Sequence, residues 1–112
     1  MKTSELTGAA LNWAVAKIIG LDIELMYGVV HVDDEPFMAD IDWNVAGPII
    51  EQEGIEICPI GNGEWRGQLD VAGELIRFYG DTPLIAAMRC YVASNLGDTV
   101  NIPEELTKGE TA

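Results

Sequence analysis

Thr82-Pro83-Leu84-Ile85-Ala86-Ala87-Met88-Arg89-Cys90-Tyr91-Val92-Ala93-Ser94-Asn95-Leu96-Gly97 has the marks of a helix with both of its ends specified. Thr82 is suited to cap the N-terminus, Pro83 fits the first turn, and Gly97 terminates the helix. Leu84, Met88, Tyr91, Val92 and Leu96 recur at helical spacing and predict the buried face. Directly upstream the period changes. Ile55, Ile57 and Ile60 suggest a strand stopped by Pro59 and by the turn Gly61-Asn62-Gly63. That turn leads into Trp65-Arg66-Gly67-Gln68-Leu69 as a hairpin, and Ile76-Arg77-Phe78-Tyr79 adds a further short strand. A hairpin followed by a capped helix points to α+β architecture.

Working outward, Thr7 to Gly20 holds Ala10, Leu11, Ala14, Val15 and Ile18 on one stripe, a second main helix. Trp13 and Lys17 are four apart near the edge of that stripe and predict mutual contact. Leu21, Ile23 and Leu25 alternate with Asp22 and Glu24, as in a half-buried strand, and Val29-Val30-His31-Val32 reads as another. Asp33-Asp34-Glu35-Pro36 reads as a turn, and residues 33–42 as an acidic loop anchored by Phe37 and Met38. Pro48 is expected as the first residue of a short helix that Gly54 ends. The expected whole is one domain over residues 1–112: a small antiparallel sheet packed on two main helices and one short helix, with 104–112 a frayed tail.

Composition narrows the function. Nineteen acidic residues against six basic ones give a formal net charge of -13 among 112 residues. Such a field repels nucleic acids and anionic membranes, and suits a basic partner instead. There is no signal-peptide pattern and no run of about 18 apolar residues, so a cytoplasmic location is expected. Cys58 and Cys90 show no metal spacing and at most one disulfide.

Several stretches resemble the NinX family of phage proteins from the lambdoid nin region. They are Leu6 to Lys17, Asp42-Trp43, Gly47-Pro48-Ile49-Ile50-Glu51, Gly54-Ile55, Thr82 to Ser94, Leu96-Gly97-Asp98 and Ile102-Pro103-Glu104-Glu105-Leu106. They cover about half the chain in the family's order. Asn12 stands where the resemblance leads one to expect an acid, and the stretch from Leu21 to Asp40 matches nothing in it. The resemblance implies a phage accessory protein made inside the infected bacterium, and it brings no catalytic motif.

The residues themselves give little support to an enzyme. His31, the one histidine, sits in a valine-rich strand pattern and reads as structural. No Ser, Cys or Thr lies in a nucleophile setting. Asp33, Asp34, Glu35, Asp40 and Asp42 lack calcium-loop spacing, so no metal is expected, and no cofactor motif is present. Binding is better served. Arg89 aligns with Ile85, Val92 and Leu96, an apolar flank where a guanidinium needs a carbonyl or anionic partner. The turn into Thr82 and Pro83 offers a helix N-terminus, although Asp81 already supplies negative charge there. Trp43 beside Gly47-Pro48 offers an aromatic face next to bare backbone, and Trp13 with Lys17 a cation–π pair or a pocket rim. Two functions are therefore expected to compete. One is sequestration of a small nucleotide-type signal of bacterial antiviral defence by Trp43, Gly47, Pro48, Thr82, Pro83, Arg89, Trp13 and Lys17, in a pocket of the kind often found at a homo-oligomer interface. The other is an acidic inhibitor, or DNA mimic, that occupies the basic groove of a host protein.

Overall fold

Four two-residue turns shape the chain. Tyr27-Gly28, Asp33-Asp34, Asn62-Gly63 and Ala72-Gly73 each have positive φ at both positions. Each joins antiparallel neighbours whose last paired residues flank it directly: Met26 with Val29, Val32 with Glu35, Gly61 with Glu64, and Val71 with Glu74. Positive φ at both loop positions is what a type I′ turn needs, and that turn matches the right-handed twist of the strands it joins. The computed structural model describes residues 1–107. The turns organise two sheets. The first contains β1 (Glu24–Met26), β2 (Val29–Val32) and β3 (Glu35–Pro36) in that order. The second contains β4 (Glu56–Gly61), β5 (Glu64–Val71) and β6 (Glu74–Gly80) in that order.

The helices are α1 (Gly8–Ile19), α2 (Trp43–Glu53), α3 (Pro83–Leu96) and the short α4 (Glu104–Thr107). α3 covers one face of the larger sheet and approaches it where side chains are missing. A Cβ on Gly67 would stand 2.7 Å from the Ala86 carbonyl oxygen, and one on Gly80 would stand 2.9 Å from the Ala86 nitrogen. Because neighbours along a strand alternate faces, Arg66, Gln68, Arg77 and Tyr79 fall on the side away from α3. The main core gathers Leu11, Val15, Leu69, Leu84, Met88 and Val92 from α1, α3 and β5. A second cluster joins Ala16 of α1, Val30 of β2 and Leu106 of α4, and fixes the smaller sheet to α1.

The two ends of the described chain are strapped together. Thr3 N–H donates to the Asp98 carbonyl, Thr3 Oγ1 to the Gly97 carbonyl, and Val100 N–H to the Met1 carbonyl. Lys2 and Thr99 form an isolated antiparallel bridge between them.

The α+β class stands, with particular differences from the sequence expectation. There are two sheets, because the 21–36 region closes on itself through its own turns. Glu35-Pro36 is a strand rather than a turn. Pro48 is interior to α2, which begins at Trp43, where the Asp42 carboxylate accepts from Asn44 N–H and Ala46 N–H bonds the Asp42 carbonyl. Gly47 eases the fit, since the helical conformation is disfavoured before proline mainly by a Cβ that glycine lacks. Pro59 lies inside β4, at a register shift between Pro59 and Gly61. Leu96 is 40% exposed, whereas Ala86, Ala87 and Cys90 are buried. Of the expected frayed tail, Glu104–Thr107 is helical with Leu106 buried, and residues 108–112 lie outside the described residues. Both cysteines are free. No helix among the described residues is long and apolar enough to cross a membrane.

Candidate functional site

Two concavities meet at the N-terminus of α3. The larger, about 420 Å³, is lined by Ser4, Thr7, Glu64, Arg77, Phe78, Tyr79, Gly80, Asp81, Ile85 and Arg89. It forms where the free edge of β6 meets α3 and the segment before α1. Arg89 is fixed there from two sides: its Nε donates to the Leu6 carbonyl at 2.9 Å and an Nη to the Tyr79 carbonyl at 2.5 Å. Burial lowers its pKa from the ordinary arginine value, and the charge of Asp81 offsets part of that. The partner required by its apolar flank is thus a pair of backbone carbonyls, which take two of the five guanidinium N–H donors. Arg77 is oriented through Nε, which donates to Gln68 Oε1 at 2.6 Å, and Gln68 in turn donates to Glu56 Oε2 across the next strand. Tyr79, 46% exposed, adds an aromatic ring.

The smaller concavity, about 190 Å³, is lined by Asp40, Ile41, Trp43, Thr82, Pro83 and Leu84. Asp81 belongs to the first and Thr82 to the second, so consecutive residues separate them. Trp43, the first residue of α2, is 54% exposed and does not plug the core. Thr82 Oγ1 accepts from Ile85 N–H at 3.1 Å, so this hydroxyl is committed to capping α3. Asn12, buried in α1, accepts from Asp40 N–H at 3.0 Å and holds the backbone of the loop beneath Trp43.

The structure therefore divides the expected binding set. Trp43, Thr82 and Pro83 share one concavity, and Arg89 lies in the adjoining one. Trp13 and Lys17 line a third, about 290 Å³, with Leu96, Thr99, Val100 and Asn101. The lysine ammonium sits 5.8 Å from the Trp13 ring centroid, as their spacing predicts. Gly47 and Pro48 line none of the three; they belong to the body of α2, not to a loop beside Trp43. Arg77, Tyr79 and Asp40 were missing from the expected set. The strand pattern hinted at the first two, but only the free edge of β6 places them in the lining of the cleft that holds Arg89.

Other polar groups resolve into structural roles. His31 Nδ1 lies 3.1 Å from the Val29 carbonyl oxygen. Among the described residues no three or more His, Cys, Asp or Glu side chains gather to hold a metal ion. Burial pushes the Cys90 thiol up to about 11, opposed by a hydrogen bond with the Phe78 backbone, which makes it a poor nucleophile.

The fold is thus a small α+β domain with two clefts at the N-terminus of one helix. The sequence model described as "Bacteriophage P22, NinX" matches residues 2–95, and the chain belongs to that family of phage proteins. No curated protein matches the chain.

Proposed function

We propose that this phage protein acts by binding rather than by turnover, and that it sequesters a small nucleotide-type signal of bacterial antiviral defence at the N-terminus of α3. The reading rests on one observation: Arg77 and Arg89, two of the six basic residues in a chain of net charge -13, line a single cleft with Tyr79. That cleft adjoins the Trp43 concavity. An anion entering a protein of this charge needs local cations to overcome the general repulsion. A guanidinium held in advance by carbonyls binds phosphate with little further loss of side-chain freedom. Glu64 and Asp81 share the cleft, so it suits a ligand bearing hydroxyl or amino donors as well as phosphate. A nucleotide carries both, together with a planar ring for Tyr79 or Trp43 to stack on.

The test is to purify the protein from bacteria with active nucleotide-signalling defences, denature it and identify the released small molecules by mass spectrometry. A nucleotide near one equivalent, lost in Arg77→Ala, is the expected result. An empty protein that shows no thermal shift with any signal nucleotide refutes the reading. The acidic-inhibitor reading, which rests on net charge alone, would then take its place.

A further inference from the structure

We infer that Glu56 and Gln68 are positioning residues for the arginine cleft: Glu56 fixes which way the Gln68 amide faces, and the amide holds Arg77 ready for phosphate. This rests on the nucleotide reading above and adds to it two residues that do not line the cleft. The three side chains stand in one row across the larger sheet. Gln68 of β5 is directly opposite Glu56 of β4 on one side and Arg77 of β6 on the other. Side chains opposed in this way are about 5 Å apart at Cβ and share a face of the sheet, here the face away from α3. Two hydrogen bonds join the row. Arg77 Nε donates to Gln68 Oε1 at 2.6 Å, and Gln68 Nε2 donates to Glu56 Oε2 at 3.0 Å.

An amide has a donor end and an acceptor end, and half a turn about its last torsion exchanges them. Here both neighbours demand the same choice. An ionised carboxylate only accepts, so the amide nitrogen faces Glu56. A guanidinium only donates, so the amide oxygen faces Arg77. The exchanged orientation would set N–H against N–H on one side and oxygen against oxygen on the other. Donation to a charged acceptor also polarises the amide and makes its oxygen a better acceptor for Arg77. The gain is in order. Arg77 is exposed, and a long exposed side chain loses rotamer freedom when a ligand immobilises it. Anchoring Nε in advance removes part of that loss and leaves both terminal nitrogens of the fork for phosphate. Glu56 therefore assists an anion to bind, although it belongs to a chain of net charge -13 whose field repels anions.

That opposition of sign supplies the experiment: calorimetric titration of the full chain with adenosine 5′-monophosphate and with inorganic phosphate, repeated on three variants. Gln68→Leu should weaken binding of both probes about two- to tenfold, the range for freeing one immobilised side chain. Glu56→Lys puts a donor where the amide needs an acceptor. It should weaken binding by a similar factor, although exchanging a negative for a positive charge favours anions through the field. Glu56→Gln keeps an oxygen that accepts, and should bind within about twofold of the parent. The unliganded protein gives a separate readout by NMR: the Arg77 Nε–H should exchange slowly in the parent and in Glu56→Gln, and fast in Gln68→Leu and Glu56→Lys. All four proteins should melt alike, because the altered side chains lie on the uncovered face of the sheet. Binding by Glu56→Lys as tight as the parent's or tighter, or no loss in Gln68→Leu, overturns the positioning role and leaves the nucleotide reading standing. Fast exchange of the Arg77 Nε–H in the parent does the same. No binding of either probe by the parent overturns both.

Discussion

Replacing Gly67 with alanine sets a methyl group 2.7 Å from the Ala86 carbonyl oxygen, 2.9 Å from its carbonyl carbon and 3.0 Å from Cys90 Sγ. Two of those three atoms are backbone of α3, so no side-chain rotation relieves the contact. Gly67 does not have positive φ, so backbone strain does not enter, and at an open site the same change would be mildly stabilising. Here the methyl must push α3 off the sheet by roughly half an ångström or more to reach ordinary contact, in an interior that resists expansion. Overpacking of this kind costs about 1–3 kcal/mol. For 112 residues the unfolding entropy makes each kcal/mol worth about 4 °C, so Gly67→Ala should melt about 4–13 °C below the parent. Since Arg89 rides on α3 and bonds the β6 carbonyl of Tyr79, the displacement should also loosen the arginine cleft and weaken nucleotide binding. Differential scanning calorimetry reads the first effect and titration the second. A melting point within about 2 °C of the parent would refute the close contact between α3 and β5.

Four further outcomes follow from the same structure. Ala72 has a φ of 54° in its turn, a region that costs a side-chain-bearing residue about 1 kcal/mol, so Ala72→Gly should raise the melting point by a few degrees. Leu106→Ala removes the α4 anchor on Ala16 and Val30 and should cost about 2 kcal/mol, readable by urea titration; a neutral result would mean that α4 is not docked. Burial raises the pKa of Cys90, to about 11 from 9.0, and raises that of Tyr91, where the charge of Glu53 contributes next. Folding thus favours the protonated forms, so their contribution is whole below pH 9 and is lost as pH climbs toward 11; chemical denaturation across that range should show falling stability, and a flat profile would contradict the burial. Trp43→Ala should leave the melting point within a degree or two because the indole is half exposed, yet lower affinity for a nucleotide ligand severalfold, read by calorimetric titration.

How much of this was legible in the residues depends on the range of the interactions involved. The ends of α3 could be read because Thr82, Pro83 and Gly97 act within a single turn of chain. The Asn62-Gly63 hairpin was legible because that dipeptide accepts positive φ at both positions. Tyr27-Gly28, Asp33-Asp34 and Ala72-Gly73 make the same turn with residues whose own preference is weaker, so pairing of the flanking strands has to hold them there. That is why Glu35-Pro36 read as a turn and not as a strand. Pro48 misled for a related reason: Asp42 supplies a stronger start signal six residues earlier, and Gly47 removes the usual clash before proline. At the site, the contact of Trp13 with Lys17 followed from helical spacing, whereas Arg77 and Tyr79 share a cleft with Arg89 only because β6 is a free sheet edge. Asp40 looked like one more solvated acid, because the loss of solvent around one of its oxygens is a property of the folded loop.

The strap between Thr3 and the segment after α3 bears on how the protein is made. Its two sides are separated by about 95 residues, nearly the whole length of the described chain. During synthesis at about 5–20 residues per second, residues 1–3 wait roughly 5–20 s before their partners exist. Meanwhile α1 can form early, but the strap closing its N-terminal side cannot. The nascent chain therefore emerges with that side open, and the last structural step belongs to residues at both ends at once. The arginine cleft, lined by Ser4 and Thr7, is completed only then, so a growing chain on the ribosome has no finished pocket until the segment after α3 has been translated.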